Sequence, residues 1–369
     1  MTPRVWHVTD SGVFSGAERQ IAVLLKLTDR SRWRPVLVHT GVPGIEPLVA
    51  EARACGAETL MMRHAGGPRG ALALARLIRS GRPDLVNAHL NWPLAMRWPV
   101  AGAIAARRPA IVATVHSSAQ VEPHRLVEWQ QRRCAPLVTR YVAVSEAVAR
   151  HCIDRNGWPA GQVSVIRNGV EPERCTGGDA ARGRELLGVP GERPIVLMLA
   201  RLEQAKGIDV LVDAARKVPD AVFVVAGDGP YRGEAERLIA EAAIGARFHL
   251  PGRVDALADV LAAAEVAVLP SRVEGLPVFL LEAMAAGVPV VGSSIPAIAE
   301  LVEDGRTGLL VPVDDAAALS AALARALSDE PLRQRVSAAA AAEVTARYTA
   351  QTMVDDTLDL YDEALGRRP

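Results

Sequence analysis

Short apolar runs, broken by polar turns and followed by stretches of helical spacing, repeat through the first half of the chain. They predict strands at 4–8, 35–39, 58–62, 85–88, 110–115, 140–144 and 163–166. Helices are predicted between them at 17–27, 71–78, 94–106, 121–134 and 145–152. This alternation is the grammar of a parallel, doubly wound sheet. Between 171 and 194 the pattern lapses into E-P-E-R-C-T-G-G-D and V-P-G-E-R-P, which reads as a linker with a short helix at 180–187. A second series follows, with strands at 195–199, 222–226, 247–250, 265–270, 288–291 and 309–311. Its helices are expected at 208–217, 231–242, 257–264 and from 316 onward. The expected organisation is two similar α/β domains, residues 1–172 and 190–350, facing each other across a cleft. A last helical segment, 351–369, is free to pack on either.

One stretch breaks the apolar pattern in a telling way. E-G-L-P-V-F-L-L-E sets Glu274 and Glu282 around a nearly apolar run. Pro277 does not fit a helix interior but fits a first turn, so the helix starts near it and leaves Glu274, Gly275 and Leu276 in the loop. A strand, a glycine loop and a helix N-terminus together form the edge where parallel sheets bind ligands. Free N–H groups there suit phosphate, whereas two carboxylates suit hydroxyls. A ligand with phosphate and polyol parts meets both needs.

Composition narrows the classes. At 369 residues, two cores are expected. No apolar run reaches the ~20 residues of a membrane span. The start, M-T-P-R-V-W-H-V, lacks the apolar region of a signal peptide, so a cytoplasmic protein is expected. Cys55, Cys134, Cys152 and Cys175 show no metal or redox spacing and read as thiols of a reducing compartment. Net charge is zero, yet residues 1–175 hold 23 Lys and Arg against 13 Asp and Glu, and the rest 19 against 29. The basic half suits an anionic membrane surface or anionic substrate, or is a solvated exterior. Lysine occurs only at Lys26, Lys206 and Lys217, which singles each out for inspection.

Several polar residues fall just after predicted strands. Gly16, in T-D-S-G-V-F-S-G-A-E-R-Q, either admits a phosphate to a helix N-terminus or marks a bare turn. Arg201 and Lys206, in A-R-L-E-Q-A-K-G, suit a diphosphate or are solvated cations. Gly227 in A-G-D-G-P, and Arg253 and Val254 in L-P-G-R-V, lie in loops that either receive a flat base or simply turn. His116, in A-T-V-H-S-S, ends a strand of the first domain and is either catalytic or structural. His7, His39 and His89 also sit in or beside strands. Neither an Asp-x-Asp triplet nor a His/Cys cluster with ligand spacing occurs, so no metal is expected. The fingerprints of P-loop ATPases and of dinucleotide-binding dehydrogenases are absent as well.

Taken together, S-R-V-E-G-L-P-V-F-L-L-E-A-M-A-A-G-V-P-V-V-G-S, S-G-A-E-R-Q, V-S-E-A-V, V-I-R-N-G-V and A-R-L-E-Q-A-K-G resemble the retaining GT-B glycosyltransferases of family 4. The resemblance covers most of the chain and centres on the E-x7-E spacing. It implies two Rossmann-like domains, with the final helix crossing back onto the N-terminal domain. It implies that Glu282 holds the ribose hydroxyls of a nucleotide-sugar donor and Glu274 the transferred sugar. Arg201 and Lys206 would take the diphosphate, Gly16 would contact phosphate, and the 252–254 loop would cover the base. His116 would lie near the reacting carbon. The implied reaction needs no metal or cofactor and moves a sugar, from UDP by preference, to a glycan, lipid-linked or small-molecule acceptor. No nucleic-acid partner is implied. The basic N-terminal half suits either peripheral contact with an anionic membrane at its inner face or the decoration of a soluble metabolite. The pattern departs from the family at Ser15-Gly16, where relatives carry two glycines, and at Ser117, where threonine is frequent. Two rival readings are a nucleotide-sugar epimerase or hydrolase on the same fold and a non-catalytic sugar-nucleotide-binding subunit.

Overall fold

A computed structural model describes residues 2–64, 67–93, 97–106, 109–118, 129, 132–189 and 191–367. The chain forms two compact units, Met1–Gly169 with Ala350–Pro369, and Val170–Thr349.

The first unit is built on a parallel sheet of β1 (Arg4–Val8), β2 (Arg34–His39), β3 (Glu58–Met61), β4 (Leu85–Leu90), β5 (Ala110–Val115), β6 (Arg140–Ala143) and β7 (Val163–Val165). Its order, β3-β2-β1-β4-β5-β6-β7, reverses direction between β1 and β4. That reversal opens a crevice at the carboxyl ends of the two strands. The strand positions follow the apolar runs because both faces are covered and alternation is unnecessary. Helix Glu46–Ala54 escapes the periodicity reading because it is short and buries only Leu48, Val49 and Ala52. The helix expected at 94–106 is described over Arg97–Ala106. Most of the one expected at 121–134 lies outside the described residues.

The last helix, Ala350–Ala364, belongs to this unit. Met353, Val354, Leu358 and Tyr361 share a core with Val5, Leu85 and Val112 of the sheet. Arg32 pairs with Asp359 and Asp362 of the helix, which adds direction to the apolar contact.

The second unit holds β8 (Ile195–Leu199), β9 (Val222–Ala226), β10 (Phe248–Gly252), β11 (Val266–Leu269), β12 (Val290–Ser293) and β13 (Leu309–Val311). Their parallel order, β10-β9-β8-β11-β12-β13, reverses between β8 and β11. The segment read as a linker is not one. Residues 170–189 pack into this unit, where Ala180–Leu186 lies on the helix Leu257–Ala262. The approach is so close that a Cβ on Gly183 would stand 2.0 Å from the Asp259 carbonyl oxygen. Asp259 also accepts from the Asp179 N–H at 2.9 Å. A seven-residue helix with an interior glycine has too little apolar periodicity to declare this role. Among the described residues no helix is long and apolar enough to cross a membrane.

Candidate functional site

In the second unit the residues singled out by sequence gather at the carboxyl ends of β10, β9, β8 and β11. Three loops there are stitched by backbone bonds. Gly227 N–H donates to the Gly252 carbonyl at 2.8 Å, Ala200 N–H to Ala226 at 3.1 Å, and Leu202 N–H to Asp228 at 3.0 Å. Gly227 has φ 150°, and a Cβ on it would lie 1.9 Å from the Ala200 oxygen. Its glycine is therefore required by backbone packing. Arg201, beyond β8, is exposed and pairs with Glu203 at 3.1 Å. Arg253 is exposed and Val254 half-buried on the neighbouring loop.

Lys206 and Glu274 meet directly over the β8–β11 switch. Lys206 ends the single turn Gln204–Lys206, and its Nζ lies 2.6 Å from Glu274 Oε1. The Ser271 hydroxyl donates to the same oxygen at 2.7 Å. Gly207 closes the turn with φ 69°, where a Cβ would stand 2.1 Å from the Pro270 oxygen. The helix begins at Val278 with Pro277 as its N-cap, so Glu274, Gly275 and Leu276 do precede it. Val278 to Met284 are all buried, and Glu282, in the second turn, is only 7% exposed. A carboxylate in so apolar a helix is costly unless polar groups meet it.

Arg272 was missed by sequence reasoning. Its guanidinium forks onto Asp209 at 2.7 and 3.1 Å, reaches Asp314 at 2.7 Å, and donates to the Gln204 carbonyl. Its backbone N–H donates to Ala205 at 2.7 Å. One side chain thus ties the loop of Lys206 to the loop of Glu274. Its partners stand 42 to 68 positions away, so no local pattern announces it.

The first unit presents its own edge. Gly16 opens helix Gly16–Leu27 behind the N-cap Ser15. Glu18 reaches back to accept from the Ser15 N–H at 2.9 Å and hydroxyl at 2.6 Å. That carboxylate favours the helix N-terminus by charge, as an anionic ligand also would. His116 follows β5 and joins a row of imidazoles. His7 Nδ1 lies 3.1 Å from His89 Nε2, and His89 Nδ1 lies 3.1 Å from His116 Nε2. Burial pushes His7 down to about 3, His116 to about 4 and His89 well below the imidazole range. All three rings are neutral near pH 7. Beside them Thr114 donates to Asn87 at 3.0 Å, and Asn87 donates to the Tyr361 hydroxyl at 2.7 Å. The only sequence signal for this row is a histidine near the end of each of three strands.

The switch-point edge of the second unit, with its Lys–Glu pair and a buried second glutamate, suits a phosphorylated polyol. Comparison with known proteins agrees. Residues 14–174 match Glycosyltransferase Family 4, and residues 181–343 match Glycosyl transferases group 1. A 2-deoxystreptamine N-acetyl-D-glucosaminyltransferase of Streptomyces fradiae is 34% identical over 322 residues, covering 80% of this chain and 74% of that protein. A D-inositol 3-phosphate glycosyltransferase of Stackebrandtia nassauensis is 32% identical over 312 residues, covering 77% and 69%. Among solved structures, Anabaena HepE in complex with UDP-glucose superposes with a TM-score of 0.84 at 22% identity, covering 98% of this chain and 99% of that one. Sucrose-phosphate synthase of Thermosynechococcus elongatus gives 0.83 at 21%, covering 99% of both. The chain belongs to glycosyltransferase family 4, the retaining GT-B enzymes that move a sugar from a nucleotide-sugar donor to an acceptor.

Proposed function

We propose that the enzyme takes a UDP-sugar in its second unit and transfers the sugar to a small cyclitol-type polyol. The observation that carries the donor reading is the Lys206–Glu274 pair beside Arg201, at the switch point of the second sheet. In this reading Arg201 and Lys206 face the diphosphate, where negative charge grows as the glycosidic bond breaks. Glu282 accepts from the ribose hydroxyls and Glu274 from the transferred sugar. The 252–254 loop with Gly227 borders the base. In the first unit, Gly16 approaches phosphate and His116 a sugar hydroxyl near the reacting carbon. With no carboxylate assigned to attack that carbon, retention follows a same-face displacement in which the departing phosphate takes the acceptor proton.

Uridine is favoured because HepE, of like fold, is solved with UDP and with UDP-glucose. The cyclitol acceptor is favoured by the acceptors named for the similar enzymes, 2-deoxystreptamine and D-inositol 3-phosphate. A cytoplasmic setting agrees with four cysteines of which none is in a disulfide.

Thermal-shift titrations with UDP, GDP, ADP and dTDP test the donor site. UDP is expected to raise the Tm of the wild type and to raise that of Glu282→Ala much less. A folded wild type that no nucleotide stabilises would sink the donor assignment. Once the nucleotide is known, its sugar forms are offered with inositol, inositol 3-phosphate and 2-deoxystreptamine as acceptors. Sugar transfer to none of these, but to a lipid-linked or glycan acceptor, would replace the cyclitol reading. Release of sugar without any acceptor would support the hydrolase instead.

A further inference from the structure

At a switch point the sheet itself does not set the distance between two loops. The ladder joining β8 to β11 is short, Val196 against Val266 and Leu197 against Ala267. Beyond it the chains turn toward helices on opposite faces. Helix Ile208–Ala215 packs on Arg232–Glu241 and Ala316–Ser328, whereas helix Val278–Ala285 packs on Glu330–Arg347. Lys206 stands on the first loop and Glu274 on the second. A lysine is a point charge on a flexible stem, so their pairing does not by itself fix the two loops.

Arg272 ties them from three directions. Nη1 and Nη2 fork onto Asp209 at 3.1 and 2.7 Å, Nε reaches Asp314 at 2.7 Å, and Nη1 also donates to the Gln204 carbonyl. That same oxygen accepts from the Gly207 N–H at 3.2 Å, so the guanidinium closes the turn that carries Lys206. The Ala205 carbonyl, one residue on, takes the Arg272 backbone N–H at 2.7 Å. Asp209 lies just after the turn, at the start of its helix, and Lys206 is thereby gripped on both sides. Asp314 lies between β13 and helix Ala316–Ser328 with φ 61°, a left-handed backbone that L residues rarely adopt. Three loops of the carboxyl edge thus converge on one guanidinium, those after β8, β11 and β13. All of its nitrogens are engaged by protein oxygens, which commits the side chain to the loops and not to a ligand.

Arg237 shows the contrast. It also pairs with two acids, but Glu234 and Glu241 lie three and four positions away on its own helix. That pairing joins no loops.

We propose that Arg272 is a positioning residue of sugar transfer: it touches no part of the donor, and it fixes where Lys206 stands against Glu274 and the diphosphate. This rests on the donor reading of Lys206. The planar fork is what the place requires, because a lysine would keep the charge but could not bond Asp209, Asp314 and Gln204 at once.

The placing of Lys206 can be read on the free enzyme, independently of any turnover. Lysine occurs only at 26, 206 and 217, so protein labelled with 13C-lysine gives three sets of side-chain signals, and Lys206→Met assigns the one of interest. Lys26 and Lys217 are exposed, whereas Lys206 is half-buried against Glu274. In the wild type the Lys206 ε-methylene is expected to stand apart from the other two, with its two protons inequivalent. In Arg272→Gln its signal should move toward theirs and the two protons should converge. An unchanged Lys206 signal in folded Arg272→Gln overturns the proposal. Should that variant fail to fold, Asp209→Asn, nearly isosteric, weakens the fork and should move the signal the same way by less; no movement there is equally adverse.

Kinetics give the second readout. In Arg272→Gln kcat should fall about tenfold to a hundredfold, as it does when a catalytic group is displaced by up to about 1 Å. The KM for the acceptor should stay. Arg272→Lys should not restore kcat; full recovery would mean that charge alone suffices and would overturn the positioning role. Adding Lys206→Met to Arg272→Gln should lower kcat by less than about threefold, because the lysine is already displaced, whereas a merely structural Arg272 predicts that the two losses multiply. Arg237→Gln should keep the wild-type kcat, and a loss there equal to that of Arg272→Gln would also sink the proposal. A wild type that reacts with no nucleotide sugar would count against the donor reading instead, and the lysine spectrum would still decide whether Arg272 holds Lys206.

Discussion

Lys206 and Glu274 already satisfy each other before any ligand arrives, at 2.6 Å and with side chains 21% and 9% exposed. The pair holds the lysine in an ordered position, and in the proposed donor site it also neutralises a carboxylate that would otherwise repel a diphosphate. Removing one partner leaves the other charge partly buried and uncompensated. Lys206→Met is expected to cost about 3 kcal/mol of stability, and about 10²-fold or more in kcat, as loss of a transition-state cation does. The double change Lys206→Met with Glu274→Gln should regain most of the stability and none of the activity. Urea unfolding and steady-state kinetics on the same samples separate the two effects. Equal loss of stability in the single and double variants would refute the pairing as the cause. Arg272 operates at the same scale but through geometry, because its bond to the Gln204 carbonyl and its fork onto Asp209 hold the Lys206 loop against its own.

At the scale of elements, the edge loops of the second sheet work because backbones approach where side chains would not fit. Gly227 and Gly233 make a clean contrast. At Gly227 a Cβ would collide with the Ala200 oxygen, and φ is 150°. Gly233 lies in the helix Arg232–Glu241 with nothing within 4 Å of a built Cβ. Gly227→Ala is therefore expected to destabilise by about 2 kcal/mol or more and to weaken nucleotide binding. Gly233→Ala should stabilise by up to about 1 kcal/mol and leave binding alone. Denaturant midpoints with and without UDP check both. A neutral Gly227→Ala would mean that the loop has room to move, contrary to the packing described. The helix Val278–Ala285 teaches a related lesson. Pro277 fixes where it starts, and the burial of its apolar turns holds Glu282 in the second turn, fixed in place by the sheet beneath it.

At the scale of the whole molecule, electrostatics links burial to pH. Burial is the leading cause that lowers six imidazoles, those of His7, His39, His89, His116, His151 and His249. In the unfolded chain each regains an ordinary value near 6.5. As pH falls through about 6.5 the unfolded state binds protons that the native state refuses. Stability is thus fully present above about pH 7 and is lost on acidification, by up to about 1.4 kcal/mol per pH unit for each histidine. Asp10 and Asp356, raised chiefly by burial, act in the opposite sense, two groups against six. Urea unfolding at pH 7.5, 6.0 and 5.0 should show a steep decline, reduced by about one proton in His7→Asn; a flat profile would contradict the burial of these rings. What the sequence determined by itself is local. Apolar runs located the strands, Pro277 the start of one helix, and the spacing of Glu274 and Glu282 the family. What the tertiary structure alone decided is pairing over distance. Strand order brought His7 to His89 across 82 positions, and Arg272 to Asp209 across 63. It gave residues 170–189 to the second unit. The reason is physical: periodicity and turn chemistry report on neighbours within a turn or a strand. The partner of a buried polar group is chosen by register and by the order of strands, which no short stretch of chain encodes.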